Sequence, residues 1–232
     1  MTVAESVVNT WYNALVIQAR KRFSKGFQLQ AGFTWSKALD DDQNSITFTS
    51  SNVAMNPFNR RQDYSLSDFD QRRRFTMSGV WQLPTHRIES RNLRRAVDGF
   101  QLSGIVTLAD GRPYSGSISG NPSPSGIQSG LLGVGGSSRV PYVGRNTFTG
   151  PGVANLDMRL SREIRFSERI RWQLILEAFN VTNRVQVTGI NTTQYNIRGS
   201  VLFPRTDFQT ISSAGTNLFR ERQLQLGTRL TF

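Results

Sequence analysis

Few residues in this sequence have the types and spacing that chemistry requires. Asp40, Asp42 and Asn44 share the opening spacing of a calcium-binding loop. Serine, however, stands at the two later positions where that loop needs a glycine and a bidentate glutamate. His86 is the only histidine, and the chain has no cysteine. His86 therefore lacks the partner residues that a catalytic triad or a histidine or cysteine metal site requires. We therefore expect that the protein is not an enzyme and binds no cofactor.

The strongest chemical feature is positive charge, which amounts to a net +12 and is carried mostly by arginine. Such a surplus suits nucleic acid, anionic lipid head groups or an anionic solute. One set of arginines lies in and after a polar connection, and a second set falls on alternate positions of several runs. The first set is Arg60, Arg61, Arg72, Arg73 and Arg74, and the second is Arg20, Arg22, Arg159, Arg165 and Arg229.

The elements that must position these arginines are strands, because apolar and polar residues alternate with a period of two. Residues 11–39 contain two such runs, joined by the hairpin turn Ser24-Lys25-Gly26. In these runs Leu15 and Phe33 belong to an apolar face, and Arg20 belongs to the opposite, polar face. Five more alternating runs follow, at residues 74–83, 99–108, 155–166, 170–179 and 219–232.

The first run is long for a strand of a globular protein, which has about five or six residues. Residues 11–23 would span roughly 43 Å at roughly 3.3 Å per residue. A tilt of about 45° would reduce this to roughly 30 Å, the thickness of a bilayer's hydrocarbon core. The apolar face ends in aromatic residues and the other face is polar, as in a lipid-facing wall around a wet interior. A long hairpin in a soluble sandwich is the alternative. Transmembrane helices are excluded, because no run approaches about 18 consecutive apolar residues.

The connections between the runs differ in length, which favours the membrane alternative. Outer-membrane barrels have short turns on the periplasmic side and long loops outside. We therefore predict an all-β fold, an antiparallel transmembrane β-barrel wall of long meandering strands, in the bacterial outer membrane. Short turns lie at 24–26 and 167–169, a medium connection at 84–98, and long outer loops at 40–73, 110–153 and 182–217.

The seven runs are an odd number, whereas bacterial single-chain barrels have an even number of strands. If the last strand ends in the periplasm, the first descends from the outside, and an ascending strand should precede it. We therefore expect residues 1–232 to form a single β-barrel domain that is an incomplete C-terminal part of a larger barrel. A further strand within 1–10 or 185–203 would instead allow closure.

In such a barrel the first arginine set lies where a long outer loop re-enters the wall. It could contact phosphates of outer-leaflet lipopolysaccharide through charge-assisted hydrogen bonds, or form ion pairs within the loop with Asp63, Asp68 and Asp70. The second set would line the interior. There it would tune selectivity, or it would pair with carboxylates on the same face, which are Asp157, Glu163, Glu177 and Glu221.

Five segments follow one another along the chain: TWSKALDD (34–41), NPFNRRQDYSLSDFDQRRRFTMSGVWQLP (56–84), GFQLSGIVTLADGRPYS (99–115), VGRNTFTGPGVANLDMRLSREIRFSERIRWQLILEAFNVTNR (143–184) and FRERQLQLGTRLTF (219–232). In this order they resemble the C-terminal barrel of TonB-dependent transporters, in particular the Oar-like group with a carboxypeptidase-regulatory-like N-terminal domain. They cover most of the chain, and the ordered set is more specific than any one piece.

The resemblance implies a whole barrel of about twenty-two strands, plugged by an N-terminal domain and driven by TonB. This sequence has neither plug nor TonB box, so TonB would act only through the missing plug. The resemblance also implies a C-terminal signal for the barrel assembly machinery, and Leu224, Leu226, Leu230 and Phe232 match it. The other expected partners are outer-membrane lipid and lipopolysaccharide.

We predict outer-membrane transport, as part of a TonB-dependent receptor barrel that takes up an unidentified solute without covalent chemistry. One alternative is a small autonomous outer-membrane pore or adhesin. Another is a soluble basic β protein that binds nucleic acid, which would need aromatic residues and arginines on one shared face. Here they lie mostly on opposite faces, so we expect no nucleic-acid partner.

Overall fold

One large β-sheet carries several smaller sheets at one of its ends. The computed structural model describes residues 8–41, 59, 61, 63–85, 88–120, 129–130, 133–134, 139–140, 142–199, 201–215 and 221–232. The strands in these ranges are β1 (Thr10–Ser24), β2 (Phe27–Asp40), β3 (Ser65–Leu66), β4 (Arg73–Gln82), β5 (Phe100–Ala109), β6 (Pro113–Tyr114), β7 (Ser117–Ser119), β8 (Ser129–Gly130), β9 (Gly133–Val134), β10 (Phe148–Thr149), β11 (Val153–Arg165), β12 (Arg171–Phe179), β13 (Val187–Ile190), β14 (Thr193–Arg198), β15 (Val201–Pro204), β16 (Ile211–Ala214) and β17 (Gln223–Thr231). The helix α1 is Arg91–Val97.

Seven long strands build the large sheet as a meander. Each pairs with the next long strand along the chain, in the order β1-β2-β4-β5-β11-β12-β17, and β3 extends the sheet beside the end of β2. These seven strands correspond to the seven runs that alternation predicts. Because every pair is antiparallel, the edge strands β1 and β17 run parallel to each other.

The register places the apolar positions of all seven strands on one face of the sheet. One cross-strand row, from β2 to β17, reads Phe27, Trp81, Leu102, Leu160, Leu176 and Leu226. The opposite face is mainly polar, with isolated apolar residues, and one of its rows reads Arg20, Gln30, Ser78, Ile105 and Asp157. The faces predicted from the period of two are therefore the faces of the folded sheet.

No element in the described ranges covers the apolar face. Trp81 and Leu176 lie in the interior of the sheet, yet they remain 44% and 40% exposed. The buried apolar side chains are instead Ala38, Ile118, Val140 and Ile197, and the last three lie in connections. Contact of an apolar face of this size with water raises the free energy of the protein, so the face needs an apolar environment.

Aromatic side chains are concentrated near the two ends of the apolar face. At the end with the short turns, Trp172 stacks on Phe166 with ring centroids 6.3 Å apart, and its Nε1 donates a hydrogen bond of 2.6 Å to Thr228 Oγ1. At the other end, Trp11 meets Tyr64 edge-on with centroids 5.4 Å apart. Two aromatic bands around an apolar zone are typical of the two interfaces of a membrane.

The helix α1 lies in the connection between β4 and β5, where alternation predicts no element. It explains Arg162, which interrupts the apolar face of β11. The Arg162 guanidinium donates to the backbone carbonyls of Arg95 at 2.9 Å and Asp98 at 3.3 Å, and it lies 5.1 Å from the Phe100 ring centroid. Arg162 thus places its charge at the end of the helix, where carbonyl groups need donors. Across the described ranges, helices are too short or too polar to span a membrane.

The structure shifts several predicted boundaries. Asp40, Arg73 and Val153 are strand residues, so the first two long connections are 41–72 and 110–152. The third begins after Phe179, and β17 begins at Gln223; residue 219, its predicted start, lies outside the described residues. The second and third connections are not irregular throughout, because they contain β6–β10 and β13–β16.

Candidate functional site on the polar face

The three long connections fold together at one end of the sheet. We call their described residues within 63–72, 110–152 and 180–215 the loop cap. Its second and third connections are joined by β7 and β14, which pair in parallel, and β14 also pairs with β15. Between them, Ile118, Val140 and Ile197 form a small buried core against which Val143 and Tyr195 pack. The loop cap is therefore a folded unit with a core of its own.

The loop cap lies over the polar face of the sheet. On β2, Ser36, Ala38 and Asp40 belong to that face and are buried, whereas Trp35 on the opposite face is 56% exposed. The backbone nitrogen of Ala38 donates a hydrogen bond of 2.6 Å to the Asp70 carboxylate. This one-sided burial shows that the cap covers the polar side of the wall at the end with long connections.

A buried arginine attaches the loop cap to β2. The side chain of Arg145 is 0% exposed, and its Nη2 donates to the Asp40 carboxylate and, at 3.2 Å, to the Asp40 carbonyl oxygen. Its Nε donates to the Asp63 carbonyl oxygen at 2.8 Å, and its Nη1 lies 3.6 Å from Asp68 Oδ1. One guanidinium therefore joins β2 and the first and second connections.

Burial lowers the pKa of the Arg145 guanidinium to about 10, because loss of water penalises the charged form. The side chain still carries its charge at neutral pH, and the neighbouring carboxylates compensate it. The removal of one partner from such a buried pair would leave an uncompensated charge, which is the costly outcome. The pair therefore holds the cap in one position on the wall.

A second buried ion pair lies beside the first. Arg139 Nη2 is 2.6 Å from Asp63 Oδ1, and the two side chains are 4% and 1% exposed. Asn146, also buried, donates to the Leu66 carbonyl oxygen at 2.7 Å and to Asp68 Oδ1 at 2.5 Å. The sequence analysis names Asp63 and Asp68 as ion-pair carboxylates, but neither alternation nor any motif identifies Arg139 and Asn146 as their partners. The available signal was an excess of carboxylates in one connection, because buried acids require cationic partners.

The first set of arginines does not act as one group. Arg72 Nη2 lies 3.6 Å from Asp70 Oδ2, as the loop-network alternative predicts. Arg73 instead forms a bidentate pair with Asp110, with Nε–Oδ2 at 2.7 Å and Nη2–Oδ1 at 3.3 Å. Asp110 is outside the predicted network, whose other carboxylates, Asp63 and Asp68, have the partners described above.

Alternation directs the adjacent arginines of β4 to opposite sides of the sheet. Arg73 is opposite Trp35, on the apolar face, and Arg74 is opposite Thr34, on the polar face. Arg61 is exposed in the first long connection, before the loop cap begins, and Arg60 lies outside the described residues. Arg73 is thus the member of this set whose strand position faces the bare apolar side.

Two members of the second set have carboxylate neighbours. Arg159 Nε lies 3.8 Å from Glu177 Oε1, and Arg165 Nε lies 2.7 Å from Glu163 Oε1. Both pairs lie on the polar face, as the pairing alternative predicts. They are partly exposed, so each contributes little to the free energy of folding.

The other members of the second set differ from one another. Arg20 is opposite Gln30, and Arg229 is opposite Gln173. In the described ranges neither arginine has an ion-pair partner, so both leave positive charge on the polar face. Arg22 lies where the register between β1 and β2 shifts.

A compact ion pair orders the third connection of the loop cap. Arg205 donates to Asp207 through Nε at 2.8 Å and Nη2 at 2.5 Å, and Asn191 Nδ2 donates to the same carboxylate at 2.6 Å. The hydrogen bonds from Arg205 hold the pKa of Asp207 below its usual value. The pair therefore stabilises the turn at neutral pH and is lost only as the pH falls through that lowered pKa.

Aromatic rings are exposed on the loop cap. Tyr142 is 65% exposed and Phe203 is 47% exposed. Tyr142 meets Tyr195 edge-on with centroids 6.5 Å apart, and the Arg198 guanidinium lies 5.9 Å from the Phe203 ring centroid. Exposed rings beside a guanidinium can bind a small solute by stacking and cation–π contact.

The candidate metal-binding and catalytic positions contribute no site in the described part of the chain. Asp40 bonds to Arg145, while Asp42, Asn44 and His86 lie outside that part. Among the described residues, no group of three or more histidine, cysteine, aspartate or glutamate side chains could hold a metal ion.

The last strand carries the predicted assembly residues. Leu224, Leu226 and Leu230 belong to the apolar face of β17 and are 71%, 82% and 59% exposed. Phe232 follows the strand and is 93% exposed. These side chains are therefore free to contact lipid or a partner protein.

Comparison with known proteins agrees with this architecture. A family model described as an outer membrane beta barrel domain matches residues 1–141 and 134–225, which together are most of the chain. Neither a curated protein nor a solved structure gives a significant match. The matched description accounts for a sheet with one bare apolar face and one polar face under a folded cap.

Proposed function

Because the chain belongs to the outer membrane beta barrel domain family, we propose that it forms part of the wall of a TonB-dependent transporter that takes up a solute. The family membership confirms the predicted fold class and the predicted location in the bacterial outer membrane. Five ordered segments that resemble the Oar-like group of these transporters support the TonB-dependent part of the proposal.

The observation that carries the proposal is the loop cap seated over the polar face. In the outer membrane the apolar face contacts lipid, so the polar face lines the interior. The buried pair of Arg145 and Asp40 holds the cap over the outer end of that interior, and the pair of Arg139 and Asp63 joins two connections within the cap. A solute that enters from outside therefore meets the cap first, where Tyr142 and Phe203 expose their rings.

Strand parity supports a larger barrel. The seven long strands alternate in direction, so β1 and β17 run parallel to each other. Antiparallel closure requires an even number of strands, and we propose that further strands complete the wall. The transporter would bind and pass its solute without covalent chemistry or a cofactor, with TonB acting through a plug domain.

A binding experiment separates the transporter from an autonomous pore. The complete polypeptide encoded by the gene should bind the purified periplasmic domain of TonB, and residues 1–232 alone should not. In planar bilayers, the complete protein should show no steady single-channel conductance, because a plug fills the interior. Steady conductance together with no TonB binding would favour the autonomous pore and contradict the proposal.

The assembly signal gives a further expected result. Replacement of Phe232 by alanine should lower the amount of folded protein in the outer membrane several-fold, because the barrel assembly machinery would lose its contact. The unfolding temperature of the protein that does fold should not change, since Phe232 is 93% exposed and packs on little. Heat-modifiable gel mobility measures the folded fraction.

Phe166→Ala is the matched control for this variant. Phe166 is an aromatic residue of the same end of the sheet and is 64% exposed, but it is not part of the proposed signal. Equal folded amounts of the Phe232→Ala and Phe166→Ala variants would show that Phe232 is only a lipid-facing aromatic residue.

A further inference from the structure

A groove opens on the apolar face where the strands meet the loop cap. It has a volume of about 390 Å³ and crosses the middle of β2 and the adjoining ends of β4, β5 and β11. Its floor is apolar and its mouth is charged. The residues that matter are Phe33, Phe75 and Leu108 on the floor and Arg73, Asp110 and Arg184 at the mouth.

We propose that this groove binds an outer-leaflet phosphorylated glycolipid, lipopolysaccharide, with an acyl chain on the floor and a phosphate at the mouth. The floor residues form part of one cross-strand row, because Phe33 is opposite Phe75 and Phe75 is opposite Leu108. This row belongs to the face that contacts lipid in an outer-membrane barrel. An acyl chain is therefore the natural occupant of the floor.

The charge at the mouth selects an anionic head group. Arg73 uses Nε and Nη2 for Asp110, and its Nη1 makes no hydrogen bond in the described part of the chain. Arg184 is exposed and has no carboxylate partner among the described residues. Two guanidinium groups and one carboxylate leave a net positive charge, and guanidinium is well suited to bind phosphate through paired N–H donors.

The position of the mouth decides which leaflet supplies the lipid. Arg73 begins β4 after the first long connection, Asp110 follows β5, and Arg184 follows β12. The long connections of this family lie outside the cell, so the mouth lies at the outer membrane–water interface. A second groove of about 430 Å³ adjoins the first across the Arg73–Asp110 pair and includes Arg72 with its partner Asp70. The combined surface suits a head group with more than one charged or polar unit.

This site requires only the outer-membrane location, so it is independent of the transport activity. The test uses the complete protein, purified from outer membranes, freed of bound lipid and placed in lipid nanodiscs. Native mass spectrometry then measures binding of bisphosphorylated lipid A, its dephosphorylated form, phosphatidylglycerol and inorganic phosphate as four separate probes.

Of the four probes, the parent protein should bind bisphosphorylated lipid A most tightly. The double variant Arg73→Gln/Arg184→Gln should bind lipid A about a hundredfold less tightly, because the loss of each charge-assisted contact lowers the affinity about tenfold. Arg165→Gln, at the other end of the sheet on the polar face, is the control and should bind normally. Asp110→Asn should bind lipid A more tightly than the parent, because it removes the carboxylate that competes with phosphate.

Heat-modifiable gel mobility shows that each variant is folded, and the Asp110→Asn variant tests the site even if the double variant does not fold. Equal binding of lipid A by the parent and the folded double variant would overturn the proposal. Weaker binding by Asp110→Asn would also overturn it. Equal binding of phosphatidylglycerol or inorganic phosphate would contradict a glycolipid site and indicate a general anion site.

Discussion

Replacement of Arg145 by methionine is expected to release the loop cap from the wall. The variant keeps a side chain of similar length but leaves the Asp40 carboxylate buried without its cation. Loss of one partner from a buried pair costs about 3–5 kcal/mol, which is large beside the small apolar core of the cap. Limited proteolysis of the folded protein should therefore cut the second connection, residues 110–152, much faster than in the parent.

Two variants make this result specific to the buried pair. Arg165→Met removes an ion pair in which Arg165 is 71% exposed, and it should change stability by no more than about 1 kcal/mol. Arg145→Lys keeps the charge but loses the planar guanidinium that reaches Asp40 and Asp63 together. The second connection of this variant should therefore be cut at a rate between those of the parent and Arg145→Met. A cap that resists protease equally in the parent and in Arg145→Met would show that the pair does not hold it.

An arginine in place of Met77 is expected to prevent stable insertion of the wall into lipid. Met77 lies near the middle of β4 on the apolar face, opposite Ala31 and Val106. A charged side chain at the bilayer midplane of a barrel costs about 2–4 kcal/mol. Denaturant titration of the protein in lipid vesicles should show that loss as a lower midpoint of unfolding.

The neighbouring residue provides the matched control. Ser78 is the next residue of the same strand, lies opposite Gln30 on the polar face and is exposed. Ser78→Arg introduces the same side chain at the same depth but on the other side of the sheet, and the midpoint should change little. The reverse order of effects, with Ser78→Arg the more damaging variant, would place the polar face against lipid.

The faces of the large sheet were predictable from the sequence because they depend on a local property. Successive strand residues point to opposite sides, so Leu15 and Arg20 separate without any knowledge of their neighbours. The long strands also restrict pairing, since a one-residue slip would move every apolar side chain to the polar face. The order of the meander follows because consecutive strands usually pair with each other.

The loop cap was not predictable in the same way, because it depends on contacts between distant parts of the chain. Arg145 and Asp40 are 105 positions apart, and no periodic pattern links them. The strands β7 and β14 come from different connections and pair in parallel, which neither segment indicates alone. The short helix α1 is not predicted for another reason. It has seven residues, about two turns, and buries none of them, so its few apolar residues make too short a stripe to distinguish from a loop.

The most direct test of the account is a cysteine scan of β4, because the chain has no cysteine of its own. Single cysteines at residues 74–81, labelled with a fluorophore in lipid vesicles, would be exposed in turn to brominated acyl chains and to a water-soluble quencher. Quenching by lipid should be strong at positions 75, 77, 79 and 81, and quenching from water should be strong at the positions between them. Lipid quenching at the even positions, or protection of the odd positions from both quenchers, would contradict a wall whose apolar face contacts the membrane.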